Sequence, residues 1–183
     1  MRPISARSTP LPATKGASRS ANVTVSASCL SGRPGSDSNG RVTREGPFRD
    51  VMEGRAAPPP AAVLLGWELV SVDPEAGTIE VAFTATEQFL NLSGMIQGGF
   101  LAAMLDATLG PALSSSLGPG QFAPTTDLHV QFLRPAHPGR LIGRGRVVRR
   151  GKDIAFMAGE LLDDADQVVA AATATAQIRA VRP

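Results

Sequence analysis

The chain has 183 residues, of which 43% are hydrophobic and 19% charged, as expected of a folded protein with one domain of ordinary size. Its one cysteine, Cys29, excludes an internal disulfide and a cysteine-rich metal site, and it favours a reducing compartment. The formal charge of +2 hides an asymmetry, because the first 36 residues hold five basic side chains and no acidic one. The other 147 residues hold 13 basic and 16 acidic side chains, which removes whole-chain basicity as an argument for nucleic-acid binding.

The N-terminal segment has a different composition from the rest of the chain. Residues 1–45 are rich in Ser, Arg, Gly, Pro and Thr without a helical or strand period, which predicts a disordered tail. An organelle transit peptide has a similar composition, but a plain flexible tail and a cytoplasmic location are the favoured interpretation. A single domain is predicted over residues 46–183. Its longest weakly charged stretch carries Asp106 and is broken by Gly110 and Pro111, so neither a membrane span nor a membrane partner is expected.

The first predicted elements are short. Residues 48–52 have the spacing of an amphipathic helix, which the proline run at 58–60 ends or bridges to the next turn. Residues 67–72 and 78–84 predict two strands of a hairpin, because apolar and polar side chains alternate in the second.

A buried helix is predicted next. It opens at Gly98-Gly99 and continues through an apolar run of good helix formers to about residue 109. Pro111 has no backbone N–H to donate, so a kink or an early end is expected near Gly110.

Four strands are predicted after the helix, at about 125–133, 141–150, 153–162 and 167–179, and the last three form an antiparallel meander. The final strand has alanine at every second position from 170 to 176, which gives it a flat face that a helix can approach closely. The predicted fold class is therefore α+β, with one antiparallel sheet wrapped around one long central helix.

The most informative residues for chemistry lie at the start and in the middle of this helix. The amides of Gly98-Gly99 have no partner in a preceding turn, and the positive end of the helix dipole favours an oxygen that gains negative charge. These are the features of an oxyanion site. Asp106 lies in an otherwise apolar run, where a buried, unpaired carboxylate would be costly, so it must meet water, a partner or a substrate.

The spacing of these residues predicts a shared site. Gly99 and Asp106 are seven residues apart, which places them on one helix face but roughly 10 Å apart along the axis. One chain cannot bring both to the same carbon atom. If the helix packs beside its two-fold mate, Asp106 of one chain approaches Gly99 of the other, and a homodimer holds two identical sites.

These residues also carry a family resemblance. The pattern closely resembles that of hotdog-fold acyl-CoA thioesterases of the phenylacetate-pathway type, over about residues 47–180; it comprises Asn91-x2-Gly94-x2-Gln97-Gly98-Gly99, then Asp106, Thr125-Thr126-Asp127-Leu128 and Phe132-Leu133-Arg134-Pro135-Ala136. The resemblance implies a hotdog fold, dimers or dimers of dimers, and hydrolysis of an acyl-CoA to the free acid and coenzyme A. It implies no bound cofactor, since coenzyme A is part of the substrate.

The resemblance also assigns roles to single residues. It makes Asp106 the nucleophile or general base, the Gly99 amide the donor that polarises the thioester carbonyl, Asn91 a residue that positions water or substrate, and Thr125 an assistant to the aspartate. The family's usual His is replaced by Gln97, which can donate a hydrogen bond to a carbonyl but cannot exchange a proton near neutral pH.

Each of these residues also has a purely structural interpretation. Asp106 could be a solvated break in the helix, Gly98-Gly99 could serve tight packing, Asn91 could cap a turn, and Thr125 could be an ordinary strand residue. The two histidines, His129 and His137, are predicted to be structural, and no metal site is expected.

A basic segment runs from residue 128 to 152 with no acidic residue. It predicts a binding site for the coenzyme A phosphates at Arg134, Arg149, Arg150 and Lys152; a solvated sheet edge is the alternative.

Two other functions compete with hydrolysis. An acyl-thioester hydratase or dehydratase would need a His paired with an acid beside the helix, and a dimer that only binds acyl-CoA would need no catalytic group.

Overall fold

The computed structural model describes residues 47–52, 54–118 and 120–180, all within one unit of the chain, Ser36–Pro183. The predicted disordered tail over residues 1–45 lies outside the described residues. The helices are α1 (Pro47–Met52), α2 (Pro60–Leu64) and α3 (Gly98–Ser116). The strands are β1 (Glu68–Asp73), β2 (Thr78–Ala85), β3 (Gln121–Phe122), β4 (Thr125–Phe132), β5 (Gly139–Arg150), β6 (Ile154–Leu162), β7 (Val168–Gln177) and β8 (Arg179–Ala180).

Six of these strands form one antiparallel sheet in the order β1-β2-β5-β6-β7-β4. The β1–β2 hairpin and the β5–β6–β7 meander are confirmed. In β2 the inward side chains Ile79, Val81 and Phe83 are buried, as their alternation predicts. Helix α3 packs across the inward face of the sheet, so the predicted hotdog architecture is confirmed.

Small residues on the sheet allow α3 to lie close to it. The alternate alanines of β7, from Ala170 to Ala176, are buried on the helix side as predicted. Gly143 in β5 and Gly159 in β6 also leave room for the helix. A Cβ on Gly143 would collide with Thr108 Oγ1, and a Cβ on Gly159 would lie 2.9 Å from Leu109 Cδ2. The sheet is therefore smooth where the helix crosses it.

Helix α3 does not end near Gly110, so that part of the sequence prediction is wrong. It continues through Pro111 for five further residues, to Ser116. Pro111 cannot donate to the carbonyl of Ala107, four residues earlier. The indole Nε1–H of Trp67 donates to that oxygen instead, at 2.9 Å, so a residue distant in sequence satisfies the carbonyl.

The sequence prediction also missed four short elements, namely α2, a 3-10 turn, β3 and a separate β8. A 3-10 turn, Glu87–Phe89, precedes the loop that leads into α3. The predicted strand over 167–179 is divided into β7 and β8, and β8 leaves the main sheet to pair with β3. Among the described residues, no helix is both long and apolar enough to span a membrane.

Candidate active site

Asp106 lies on the exposed face of α3, next to buried Leu105. Its carboxylate is held by the neighbouring edge strand, since Thr125 Oγ1 donates a hydrogen bond to Asp106 Oδ1 at 2.9 Å. A register shift in β4 between Thr125 and Asp127 sets this end of the strand apart from the regular ladder with β7. The structure therefore joins two of the predicted site residues across two elements of one chain.

The Asp106–Thr125 pair lies in an open depression of about 410 Å³ between α3 and β4. Its walls are short side chains and the first residues of the strand, namely Ala102, Ala103, Thr126, Asp127 and Leu128. Ala102 and Ala103 were not singled out in the sequence. They precede Asp106 by four and three residues, the spacing at which helical side chains share a face, so this signal was present.

The N-terminus of α3 carries the candidate oxyanion donors. Gln97 is the N-cap residue, and its exposed side chain makes no capping hydrogen bond. Gly99 is exposed, and a Cβ placed on it would meet no atom within 4 Å. The Phe100 N–H donates to the Gln97 carbonyl at 2.9 Å, whereas the Gly99 N–H is a first-turn amide without a helical acceptor four residues earlier and can donate to a substrate carbonyl oxygen.

Packing fixes this helix end. Phe100 stacks on Phe89 with ring centroids 4.1 Å apart. Gly98, by contrast, faces the ring of Phe132, and a Cβ on Gly98 would lie 2.9 Å from its Cζ. Gly98 therefore serves close packing, while its neighbour Gly99 is the accessible glycine of the pair.

Asn91 has the turn-capping role that its sequence allowed. Its Oδ1 accepts hydrogen bonds from the amides of Ser93, at 2.8 Å, and Met95, at 3.3 Å. Gly94 completes the turn with a φ of 74°, a conformation that favours glycine. The first half of the sequence pattern thus shapes the loop that leads into α3.

The described chain does not bring all the predicted residues together. Asp106 and Thr125 are in contact, whereas Gly99 lies on the same helix about 10 Å away along its axis. Gln97 precedes the helix, and Asn91 caps the loop before it. The predicted site residues therefore fall into two groups, which we call half-sites, one at each end of the first two turns of α3.

The four residues predicted to dock phosphates do not form one cluster. Arg134 Nη1 donates to the carbonyl of Val168, at the end of the sheet where Ile142 pairs with Leu162. Arg150 lies eight residues further along β5 than Ile142, about 26 Å away. Phosphate binding therefore cannot involve all four residues at once.

Two of the predicted docking residues already have partners. Arg134 bonds Val168, and Arg150 donates to the carbonyl of Ser116, the last residue of α3, and to Gln121 Oε1. Arg150 therefore caps the helix C-terminus, where a cation is favoured. Arg149 and Lys152 are exposed at the same end of the sheet and stay candidates for phosphate binding.

The histidines lie away from Asp106. His129 pairs with Thr173 and alternates with Leu128 and Val130, which pack on the core, so its side chain points to the opposite face of the sheet. His137 is exposed in the turn before β5. Neither supplies the His beside the helix that a hydratase would need.

Within residues 47–52, 54–118 and 120–180, no three His, Cys, Asp or Glu residues are grouped closely enough to hold a metal ion.

A second depression, of about 540 Å³, is centred on the outer face of the sheet. Arg144 Nε donates to Glu80 Oε2 there at 2.8 Å, and this hydrogen bond raises the pKa of Arg144. Two of its charged side chains, Arg144 and Glu80, are thus paired with each other, and no carboxylate from α3 lines this depression.

Known proteins resemble this chain in sequence and in fold. The sequence pattern of the thioesterase superfamily matches residues 93–170, which include Gly99, Asp106 and Thr125. A phenylacetic acid degradation-related protein of Ralstonia eutropha JMP134, described as a thioesterase, is 41% identical, with 72% of this chain and 99% of that chain covered and a TM-score of 0.70. A Thermoplasma acidophilum protein named as an esterase is 28% identical over 92 residues, which are 50% of this chain and 69% of that one.

A Streptococcus mutans UA159 protein solved with acetyl-CoA has the same fold; it is 24% identical, with 64% of this chain and 91% of that chain covered and a TM-score of 0.58. The chain described here belongs to the thioesterase superfamily. It is a hotdog-fold thioester hydrolase, and its predicted likeness to the phenylacetate-pathway type is confirmed.

Proposed function

We propose that this chain hydrolyses acyl-CoA thioesters at sites shared by two copies, with Asp106 and Thr125 from one copy and Gly99 and Gln97 from the other. The hydrogen bond from Thr125 Oγ1 to Asp106 Oδ1 carries the proposal. It holds a carboxylate in an open depression on a helix that is otherwise largely apolar, where water and substrate can both reach it. A carboxylate that only broke up an apolar surface would need no such partner.

The reaction follows from these groups. The carboxylate of Asp106 takes a proton from a water molecule, whose oxygen attacks the thioester carbonyl carbon. The Gly99 N–H and the Gln97 carboxamide donate to the carbonyl oxygen as it gains negative charge. The carbon–sulfur bond then breaks, and the sulfur takes the proton back from Asp106. The products are the free acid and coenzyme A as its thiol.

A second copy is required because of the distance between the two half-sites. Within one α3 the Gly99 amide and the Asp106 side chain are about 10 Å apart along the axis. Strand β4, which carries Thr125, is an edge of the six-stranded sheet, so a second copy can approach at the side where Asp106 lies. Two antiparallel α3 helices side by side would bring Asp106 of each copy to Gly99 of the other. A homodimer, or a dimer of such dimers, would hold identical sites.

Coenzyme A is the proposed carrier of the acyl group. The acetyl-CoA bound to the S. mutans neighbour supports this choice. In the present chain, Arg149 and Lys152 are the exposed cations that could meet its phosphates. A cytoplasmic location for the reaction rests on the sequence alone.

Thiol release over a panel of short, long and aromatic acyl-CoAs tests the proposal. Wild-type protein should release thiol from at least one of them, and Asp106→Asn should not. Asp164→Asn, in the exposed turn between β6 and β7, is the matched control and should hydrolyse at the wild-type rate. Equal rates for Asp106→Asn and wild type would contradict the proposed role of Asp106.

A further inference from the structure

The interior of α3 contains a proline that should weaken it one turn after Asp106. Pro111 lies well inside α3 and has no N–H to donate to the carbonyl of Ala107. Its ring also crowds that carbonyl, which is why interior prolines kink or break helices. Ala107 directly follows Asp106, so the weak point is in the turn that supports the carboxylate.

Trp67 supplies the missing hydrogen-bond donor. Its indole Nε1–H donates to the Ala107 oxygen at 2.9 Å, in a partly buried position. The indole N–H can only donate, and a buried one needs an acceptor. The backbone N–H of Trp67 is itself bonded to the carbonyl of Ala62 at 2.9 Å, and its side chain packs against the core. The donor is thus anchored from outside the helix.

The Asp106–Thr125 hydrogen bond is the contact that an opening of this turn would disturb. Thr125 belongs to β4, so its hydrogen bond to Asp106 joins two elements and lasts only while α3 keeps its place against the strand. If the Ala107 carbonyl turned outward to water, the helix would bend at Pro111 and the backbone of Asp106 would move. A displacement of about 1 Å is enough to reduce catalysis severely.

We propose that Trp67 is a positioning residue for Asp106. By donating to the carbonyl that Pro111 leaves without a partner, it keeps the turn after Asp106 closed and holds the carboxylate at Thr125. The catalytic part of this inference rests on the proposed function, whereas the closing of the turn does not.

Four proteins test the inference: the wild type, Trp67→Phe, Pro111→Ala and the double variant. Trp67→Phe keeps an aromatic ring in place and removes the donor. Pro111→Ala returns a backbone N–H to the helix, so Ala107 no longer depends on Trp67. Val72→Ala, in β1, is the control for ordinary loss of packing, since Val72 packs against the core without such a hydrogen bond.

The first measurement is hydrogen exchange of the α3 amides at residues 105–110 and 112, which are present in all four proteins. Trp67→Phe should exchange about fivefold faster than wild type in this segment, and the double variant should exchange like Pro111→Ala. Unchanged exchange in Trp67→Phe would overturn the inference. This arm gives its result even if wild-type protein releases no thiol from any acyl-CoA, which would refute the proposed function alone.

The second measurement is steady-state thiol release. Trp67→Phe should lower kcat about tenfold with KM changed by less than about twofold, as expected when a group acting in the transition state is misplaced. The double variant should recover to within about twofold of Pro111→Ala, and Val72→Ala should keep its kcat while its Tm falls. An equal loss of kcat from Trp67→Phe in both backgrounds, or no loss in either, would show that Trp67 does not position Asp106.

Discussion

Thr125 Oγ1 and Asp106 Oδ1 are 2.9 Å apart although 19 residues separate them in sequence. The bond links the edge strand β4 to the exposed face of α3 and leaves the other carboxylate oxygen, Oδ2, with no hydrogen-bond partner among the residues that the structure describes. One oxygen is therefore held by the strand, and the other is the oxygen that the proposed reaction would use.

Asp106→Asn should fold and associate as the wild type does, yet lose at least about two orders of magnitude in kcat/KM for acyl-CoA hydrolysis. An amide has nearly the same shape but cannot take a proton from water, and a positioned base contributes on this scale. Thiol-release kinetics and size-exclusion chromatography provide the two measurements. Activity near the wild-type level would remove Asp106 from the mechanism.

Thr125→Val should reduce kcat about five- to tenfold, because it removes the hydroxyl donor while keeping a side chain of similar shape. Thr125→Ser keeps the hydroxyl and is the matched control. Its kcat should lie within about twofold of the wild type. If both variants behaved alike, the hydrogen bond to Asp106 would have no catalytic consequence.

Asp106→Asn and Gly99→Val should complement each other when mixed as subunits. Gly99 has open space around its Cα, so a valine side chain blocks the approach of a carbonyl without disturbing the core. A heterodimer with one lesion in each chain has one intact site and one doubly damaged site. At random 1:1 exchange about half of the dimers are of this kind, so about a quarter of the wild-type activity per site should return. Confirmed exchange without recovery would place the chemistry within one subunit.

Gly143→Ala should lower the free energy of unfolding by about 1–3 kcal/mol, because the new methyl group collides with Thr108 Oγ1 and lies 3.0 Å from Phe83 Cε2. Gly110→Ala is the control within the helix. Its Cβ would meet nothing within 4 Å beyond its chain neighbours, and the gain in helix propensity is offset by crowding between that Cβ and the ring of Pro111, so the free energy of unfolding should change by less than about 0.5 kcal/mol. Urea titrations of both variants check the contrast, which would fail if Gly110→Ala lost as much stability as Gly143→Ala.

Deletion of residues 1–45 should change neither the Tm nor the hydrolysis rate, because the segment has no apolar period with which to join a core. Calorimetry and thiol release on the truncated protein measure both. A fall of several degrees in the Tm would show that the segment packs against the domain, whereas loss of organelle import alone would support targeting.

The sequence by itself determined the strands, the meander and the existence of a central helix, because alternation in the strands and the apolar run at 98–109 are local signals of burial. It also predicted that one chain cannot bring Asp106 and Gly99 to the same reacting carbon atom, since the helix rise converts seven residues into about 10 Å. The pairing of Asp106 with Thr125 followed only from a family resemblance.

Only the tertiary structure decided the rest, because those properties depend on neighbours that are distant in the chain. Local rules predicted that Pro111 would kink or end the helix, whereas Trp67 donates to the carbonyl that Pro111 leaves without a partner and the helix continues. Arg134 and Arg150 occur in one basic segment, yet strand direction places them at opposite ends of the sheet. A sequence shows which groups need partners, and the fold determines which partners they meet.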